Sequence, residues 1–194
     1  MDETTTDPEA RLVAALWQVV SAHGWHGLTM RRVAQAAEMP AEELRRRCPS
    51  RLDLLRLHGL AMDRAVLTGT VAEQGGSARD RVFDALMRRV DAMQPHRAGI
   101  LRLLEEVRRD PLLALLLLAG LPRSMAWMLE AAEVDTSGPA GLARIQGLTG
   151  VWLATVRAWA RDETVDLGPT MAALDHALDR AEQVARSLRL DTGG

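Results

Sequence analysis

Residues 23–55 of the sequence read HGWHGLTMRRVAQAAEMPAEELRRRCPSRLDLL, and this stretch decides the fold. Thr29 is suited to cap one short helix, and Pro40 is suited to the first turn of another. Only the dipeptide Glu38-Met39 separates the end of the first helix from that proline. Two short helices joined by so tight a turn indicate a helix-turn-helix, whose second helix is built to enter the major groove of DNA.

The rest of the chain also has the pattern of helices, separated by Gly, Pro and Ser, with almost none of the alternation that is typical of strands. Three helix starts carry a recognisable cap, at Asp7-Pro8, at Ser50 with Asp53, and at Ser77 with Asp80. The fourth helix is predicted to end near Gly75-Gly76 and the last near Arg189. We therefore expect an all-α fold of about nine helices.

The longest apolar run extends from Leu112 to Leu121. It is about half of the roughly 20 residues that a helix needs to cross a bilayer, so no membrane span is predicted. A helix that is apolar nearly all round is usually enclosed by others, and we expect a core helix here. Gly120 and Pro122 are predicted to kink or split it.

Size, charge and single residues exclude several classes of protein. The 194 residues suffice for one or two small domains. Because the net charge is only -2, a surface that binds nucleic acid must be confined to one part of the chain. The lone Cys48 and the absence of a signal-like N-terminus favour a cytoplasmic protein. His23 and His26 flank a glycine without further ligands, and Glu105-Glu106 is expected to be a solvated face. No enzyme, catalytic residue, metal or cofactor is predicted.

A local basic character supports DNA binding by the first third of the chain. Between residues 11 and 64 the sequence has nine arginines against five acidic residues. Side chains at the backbone-facing end of a helix-turn-helix meet phosphates, and those on the second helix meet base edges. The candidate DNA-binding residues are Thr29, Arg31 and Arg32 at the backbone, Ala41, Arg45 and Arg46 in the groove, and Arg51 beyond the groove edge.

The same segment resembles the N-terminal signature of the TetR family of transcriptional repressors. The matching positions are Gly24, Trp25, Gly27, Leu28, Thr29, Met30, Arg31, Val33 and Ala34, together with Pro49-Ser50-Arg51. The resemblance implies a DNA-binding domain over residues 1–56 and a helical domain over residues 57–194 that binds a small apolar ligand. It further implies a homodimer that forms through the last two helices and binds operator DNA. Such a dimer represses transcription and responds to its ligand.

Several residues depart from the family pattern where DNA would be touched. Glu38 replaces the usual turn glycine, and Glu42 and Glu43 stand where small or neutral residues are usual. Two carboxylates facing phosphates would each oppose binding. The positions that usually carry aromatic residues are here Arg45, Arg47 and Cys48.

The helical domain offers a set of adaptable thioethers and flat rings for an apolar ligand chamber. The candidate ligand-binding residues are Met93, Leu101, Leu104, Leu118, Met125, Trp127, Met128, Trp152 and Trp159. Apolar stripes on the last two helices are suited to a four-helix interface between two copies, or to packing within their own domain. The candidate dimer residues are Leu142, Leu148, Val151, Val156, Met171, Leu174, Leu178 and Ala181.

The C-terminal part of the chain supports an alternative. Residues 159–180, WARDETVDLGPTMAALDHALDR, resemble the accessory lipid-binding proteins of coenzyme Q biosynthesis, which share the TetR-like fold. The matching residues are Trp159, Asp162, Thr164, Asp166, Thr170, Leu174, Asp175 and Leu178. This resemblance implies that the helical domain holds an isoprenoid or other lipid and that the reading helix no longer binds DNA.

Overall fold

The computed structural model describes residues 7–69 and 76–187, and within these residues the protein is all-helical without strands. The ten α-helices are α1 (Pro8–His23), α2 (Met30–Ala36), α3 (Ala41–Arg47), α4 (Arg51–Thr68), α5 (Ala78–Met93), α6 (Arg97–Val107), α7 (Pro111–Ala119), α8 (Leu121–Ala131), α9 (Gly138–Trp159) and α10 (Gly168–Ser187). The predicted seventh helix is split at Gly120 into α7 and α8. The predicted helix ends at Gly75 and Arg189 lie outside the described residues.

The predicted caps are confirmed by hydrogen bonds at the helix starts. The Asp7 carboxylate accepts from the backbone N–H of Glu9 at 3.0 Å, and the Thr29 hydroxyl accepts from that of Arg32 at 3.3 Å. Reciprocal bonds join Ser50 with Asp53, and Ser77 with Asp80, as in a capping box. Local chemistry thus fixes where α1, α2, α4 and α5 begin.

Two compact units make up the chain, and the first comprises residues 7–64 and 93–115. Its centre is α1, whose Leu12, Leu16 and Val20 are fully buried and which packs against α2 and α6. Gly99 of α6 permits this close approach, because a Cβ there would lie 2.5 Å from the carbonyl oxygen of Trp17. The unit therefore joins the helix-turn-helix to a helix that comes much later in the chain.

The second unit comprises residues 65–69, 76–92 and 116–187. Its largest helix pair is α9 and α10, and α8 packs on α9. The interior contains Met125 and Met128 of α8, and Trp152 and Trp159 of α9, all at most 4% exposed. The guanidinium of Arg89 on α5 lies 5.2 Å from the centre of the Trp152 ring, a distance at which a cation and an aromatic face attract each other.

The loop between α9 and α10 is organised by one carboxylate, that of Asp162, which is only 4% exposed. One of its oxygens accepts from the backbone N–H and hydroxyl of Thr164 at 3.0 and 2.6 Å. The other accepts from the same two groups of Thr170, in the first turn of α10, at 2.9 and 2.6 Å. These bonds, that from the Thr164 hydroxyl foremost, hold the pKa of Asp162 far below its usual range.

The prediction that the apolar run forms an enclosed core helix is wrong for α7. Of its residues only Leu113 is buried, and its exposed leucines are Leu112, Leu115, Leu116 and Leu118. A uniformly apolar sequence does not specify how many neighbours surround a helix, and this helix packs along one side only. By length and composition the segment 111–131 (α7 and α8) is apolar enough to cross a membrane, with a mean hydropathy of 1.7. Of its most apolar window 22% is buried, and core helices of soluble proteins meet the same criterion.

Candidate nucleic-acid interface and the groove of the second unit

The predicted reading helix, α3, packs within the first unit through one side of its seven residues. Leu44 is 1% exposed and Cys48, directly after the helix, is 3% exposed. Burial raises the pKa of the Cys48 thiol, in keeping with a packing role and not with a reactive one. With this side buried, the opposite face of α3 is presented to solvent.

Arg45 and Arg46 lie on the exposed part of α3, and neither makes a hydrogen bond or ion pair with any described residue. Arg47 differs, because its guanidinium binds the carboxylate of Glu43 one turn earlier at 3.0 Å. Glu42 is exposed and shares the solvent face with Arg46, four residues further along the helix. The solvent-exposed face of α3 thus carries two arginines, Arg45 and Arg46, and one carboxylate, Glu42, that form no ion pair with a described residue.

Two of the backbone-facing candidates already take part in local structure. The Thr29 hydroxyl caps α2, and a guanidinium nitrogen of Arg32 donates to the carbonyl oxygen of Gly27. Arg31 is exposed beside them. The first turn of α2 therefore presents Arg31 to solvent, while Thr29 and Arg32 shape the turn that precedes the helix.

Arg51, at the start of α4, lies over an aromatic ring. Its guanidinium carbon lies 5.1 Å from the ring centre of Trp25, which is 3% exposed. A cation at this distance is attracted by the face of the ring, so the contact limits the positions that the Arg51 side chain takes. The sequence pattern pointed to each residue separately, but it carried no sign of their contact.

Glu106 of α6 is the functional residue that the sequence pattern missed, and its predicted solvated position is wrong. Glu105 is exposed, whereas the Glu106 side chain is only 17% exposed. One oxygen of Glu106 accepts from the backbone N–H groups of Trp25 and His26 at 3.1 and 3.3 Å. The carboxylate therefore holds the turn that leads from α1 to α2.

Gly24 in that turn cannot be replaced without disturbance. Its φ of +70° lies in the left-handed region, and a Cβ there would collide with the carboxylate of Glu106. The imidazole of the neighbouring His26 lies 3.7 Å from a carboxylate oxygen of Asp110 and is exposed. The turn is thus built around carboxylates from the α6 region.

The turn between α2 and α3 contains a residue in a conformation that favours glycine. Glu38 has a φ of +49°, at the position where the TetR pattern usually has glycine. Its carbonyl oxygen faces the guanidinium of Arg11 at 3.5 Å. The glutamate side chain makes no hydrogen bond to a described residue, so no hydrogen bond of this side chain offsets the backbone strain.

We expect Glu38→Gly to stabilise the protein by about 1 kcal/mol, because glycine adopts this φ without the steric cost of a Cβ. For a chain of this size that corresponds to a rise in Tm of about 2–4 °C in thermal unfolding. Glu38→Ala is the matched control, since it removes the charge and keeps the Cβ. An equal gain with alanine would show that the charge, and not the backbone conformation, is responsible.

The second unit carries an open apolar groove of about 680 Å³ between α5, α9 and α10. Its lining includes Gly147 and Gly150 of α9, where an added Cβ would meet nothing within 4 Å. Arg79 lies at its rim and binds the carboxylates of Asp175 and Asp179, each at 2.7 Å. The groove therefore has free space beside the glycines and a group of ion pairs at Arg79.

The candidate ligand-binding residues are divided between the two units. Met93, Leu101 and Leu104 belong to the first unit, and the other six belong to the second. Within the second unit Trp127 is 47% exposed and Leu118 is 41% exposed, whereas the remaining four are buried. None of the nine residues lines the groove. The ligand chamber remains a prediction.

The candidate dimer residues divide into an inner and an outer group. The inner group, buried within the second unit, is Leu148, Val151, Leu174 and Leu178. In the outer group Leu142 is 63% exposed and Met171 36%, while Val156 and Ala181 are half-buried. Four of the eight residues, Leu148, Val151, Leu178 and Ala181, line the groove. The predicted interface and the groove therefore share one surface of α9 and α10.

One cluster of possible metal ligands occurs in the described residues, formed by Asp175, His176 and Asp179 of α10. Both carboxylates are bound by Arg79. The hydrogen bond to Asp175 is the main reason why the pKa of Arg79 is raised. A guanidinium thus takes the place that a cation would need.

These features define a class of protein, an all-helical chain with a helix-turn-helix in one unit and a long helix pair in the other. No family model and no curated protein matches the sequence. Among solved structures, a TetR transcriptional regulator from Nitrosomonas europaea ATCC 19718 is 18% identical, with a TM-score of 0.71 over 90% of this chain and 98% of that one.

Two further structures give the same result. A TetR transcriptional regulator from Rhodococcus sp. RHA1 is 16% identical with a TM-score of 0.63, and another transcriptional regulator from that organism is 20% identical with a TM-score of 0.51. Each match covers 92% of this chain and 97% of the other. The chain has the fold of the TetR regulators.

Proposed function

We propose that this protein is a ligand-responsive transcriptional regulator of the TetR type, a repressor that binds operator DNA as a homodimer in the cytoplasm. The proposal is carried by Arg45 and Arg46, which stand exposed and without a partner among the described residues on the outer face of α3. Arginines in this position can bind guanine edges or phosphates when the helix enters a major groove. Arg31 and the ring-supported Arg51 would add phosphate contacts on either side.

The proposed dimer forms through α9 and α10 around the open groove. Exposed apolar side chains occur on both helices, namely Leu142 and Leu153 of α9 and Val184 of α10, at 63, 42 and 57% exposure, and Val184 lines the groove. A symmetric contact would bring side chains of a second copy over Gly147 and Gly150, where there is room for them. Ligand binding would shift the population between two dimer geometries that hold the two reading heads at different separations.

Gly150→Glu is expected to convert the protein to a monomer, because a charged side chain would occupy the space proposed for the second copy. The fold should persist, since glutamate is the better helix former by about 0.8 kcal/mol and its Cβ would meet no described atom within 4 Å. Light scattering gives the mass. Gly59→Glu on α4, also in open space, is the matched control and should leave the mass unchanged. A Gly150→Glu protein of wild-type mass would contradict this interface.

The regulator proposal is tested by measuring binding of the purified protein to the DNA upstream of its own gene, over a range of salt concentrations. A regulator should bind this DNA more tightly than unrelated DNA, with an affinity that falls steeply with salt. Mass spectrometry of the same preparation identifies any co-purified molecule. Absence of specific binding at moderate salt, together with a retained isoprenoid, would contradict the proposal.

That outcome would support the alternative, a lipid-binding accessory protein of quinone biosynthesis that no longer binds DNA. The observation in its favour is Glu42, an exposed carboxylate without an ion-pair partner among the described residues, on the same face as Arg46. A reading helix under selection for DNA contact has no evident use for this charge.

Glu42→Gln separates the two functions. If α3 faces DNA, removal of the carboxylate should raise operator affinity about threefold to tenfold, because the carboxylate no longer repels nearby phosphates. Glu163→Gln, an exposed residue of the α9–α10 loop, makes the same change in net charge and should have little effect. Equal effects of the two variants in a DNA-binding titration would mean that α3 does not lie against the duplex.

A further inference from the structure

The exposed leucines of α7 form an apolar surface that the regulator proposal does not use. Leu112, Leu115, Leu116 and Leu118 are 66, 64, 44 and 41% exposed on a helix of nine residues. Single exposed leucines are ordinary on protein surfaces, but four within two turns of one helix make a continuous patch. Such a patch on a soluble chain marks an interaction surface.

Three arginines lie beside α7 in the chain. Arg108 and Arg109, both exposed, precede the helix, and Arg123 is exposed shortly after it. No acidic residue occurs between Asp110 and Glu130. The carboxylate of Asp110 accepts from the backbone N–H of Leu113 at 3.0 Å, so it serves as the cap of α7. An apolar surface with basic ends is complementary to a layer of anionic headgroups above acyl chains.

We propose that α7 binds the surface of an anionic lipid bilayer, with its exposed leucines in the acyl boundary and the arginines at the headgroups. The helix would lie on the membrane and not cross it, because nine residues span only about 14 Å of a hydrocarbon core of roughly 30 Å. Arg123 in the middle of the apolar segment 111–131 also opposes insertion. A second copy of the chain is less suited to cover the leucines of α7, because a symmetric contact would bring the arginines of the two copies together.

The test is co-sedimentation of the full-length protein with vesicles of phosphatidylglycerol and phosphatidylcholine in equal parts, and with vesicles of phosphatidylcholine alone. We expect the wild type to bind the anionic vesicles and to release with added salt. Leu112→Gln/Leu115→Gln/Leu116→Gln should reduce partitioning roughly tenfold or more, because three apolar side chains no longer enter the bilayer. Leu60→Gln/Leu67→Gln on α4, at 53 and 38% exposure, is the matched control and should bind as the wild type does.

Arg108→Ala/Arg109→Ala tests the same surface without changing a leucine. Each arginine near an anionic surface contributes roughly fivefold to partitioning, so the pair should lower binding to anionic vesicles and leave neutral vesicles unaffected. Circular dichroism and light scattering accompany each variant. The proposal is overturned if the wild type does not bind anionic vesicles, if the leucine and control variants bind equally, or if the leucine variant loses a dimer in place of vesicle binding.

Discussion

Replacing Arg45 and Arg46 together by alanine is expected to lower operator affinity roughly a hundredfold or more. Each arginine that meets a base edge or phosphate is worth about 1–3 kcal/mol, and on α3 both are free of competing described partners. For each phosphate that the variant no longer neutralises, the slope of log affinity against log salt should fall by about one. A fluorescence anisotropy titration at several salt concentrations measures both quantities.

The control for this double variant is Arg108→Ala/Arg109→Ala, which removes the same charge from adjacent exposed positions outside the helix-turn-helix. It should change DNA affinity little, whereas the dimer mass should be unaffected in both proteins. If Arg45→Ala/Arg46→Ala binds DNA as tightly as the wild type, α3 is not the reading helix and the proposed function fails with it.

Asp162→Ala is expected to cause the largest loss of stability among single changes outside the apolar core. The substitution leaves two backbone N–H groups and two hydroxyls, those of Thr164 and Thr170, without the acceptor that now binds all four. Asp162→Asn should be intermediate, since its amide keeps one acceptor oxygen and turns an NH₂ group towards the remaining donors. Thermal unfolding at neutral pH gives the order of the three proteins.

The effect of Asp162 should depend on pH in a defined direction. Because the folded-state pKa is depressed, its stabilising contribution is complete above the unfolded pKa of about 4 and is lost as the pH falls towards the folded value. The difference in Tm between wild type and Asp162→Ala should therefore be constant at neutral pH and shrink in acid. Asp166→Ala, which removes a single 3.3 Å bond to the N–H of Gly168, is the control and should have a small effect. Equal melting of Asp162→Ala and wild type would contradict this role.

Local features of the fold could be predicted from the sequence because their causes lie within a few residues. The caps at Asp7, Thr29 and Ser50 depend on neighbours two or three positions away, and each was found as expected. Glu38 likewise stands out as a departure from a glycine position, and its positive φ shows why glycine is usual there. The helix-turn-helix itself follows from the same short-range pattern.

The features that could not be predicted depend on what lies opposite a residue in space. In the sequence Glu106 is only one of two adjacent acidic residues, and the packing of α6 on α1 brings it to the backbone N–H of Trp25, 81 residues earlier. The leucines of α7 satisfy the pattern of a buried helix, yet the pattern contains no information on how many neighbours exist. The contact of the Arg51 guanidinium with the Trp25 ring could not be predicted for the same reason.

The contact of Glu106 with the α1–α2 turn also determines how this molecule can be taken apart. A fragment cut after residue 56 or 64 would keep every residue proposed to touch DNA but lose the carboxylate bonded at Trp25 and His26, and with it the packing of Gly99 on Trp17. A chimaera that joins the proposed DNA-binding unit to another protein must therefore include residues 93–115 as a second, separate segment. The transplantable part of this protein is discontinuous in the gene.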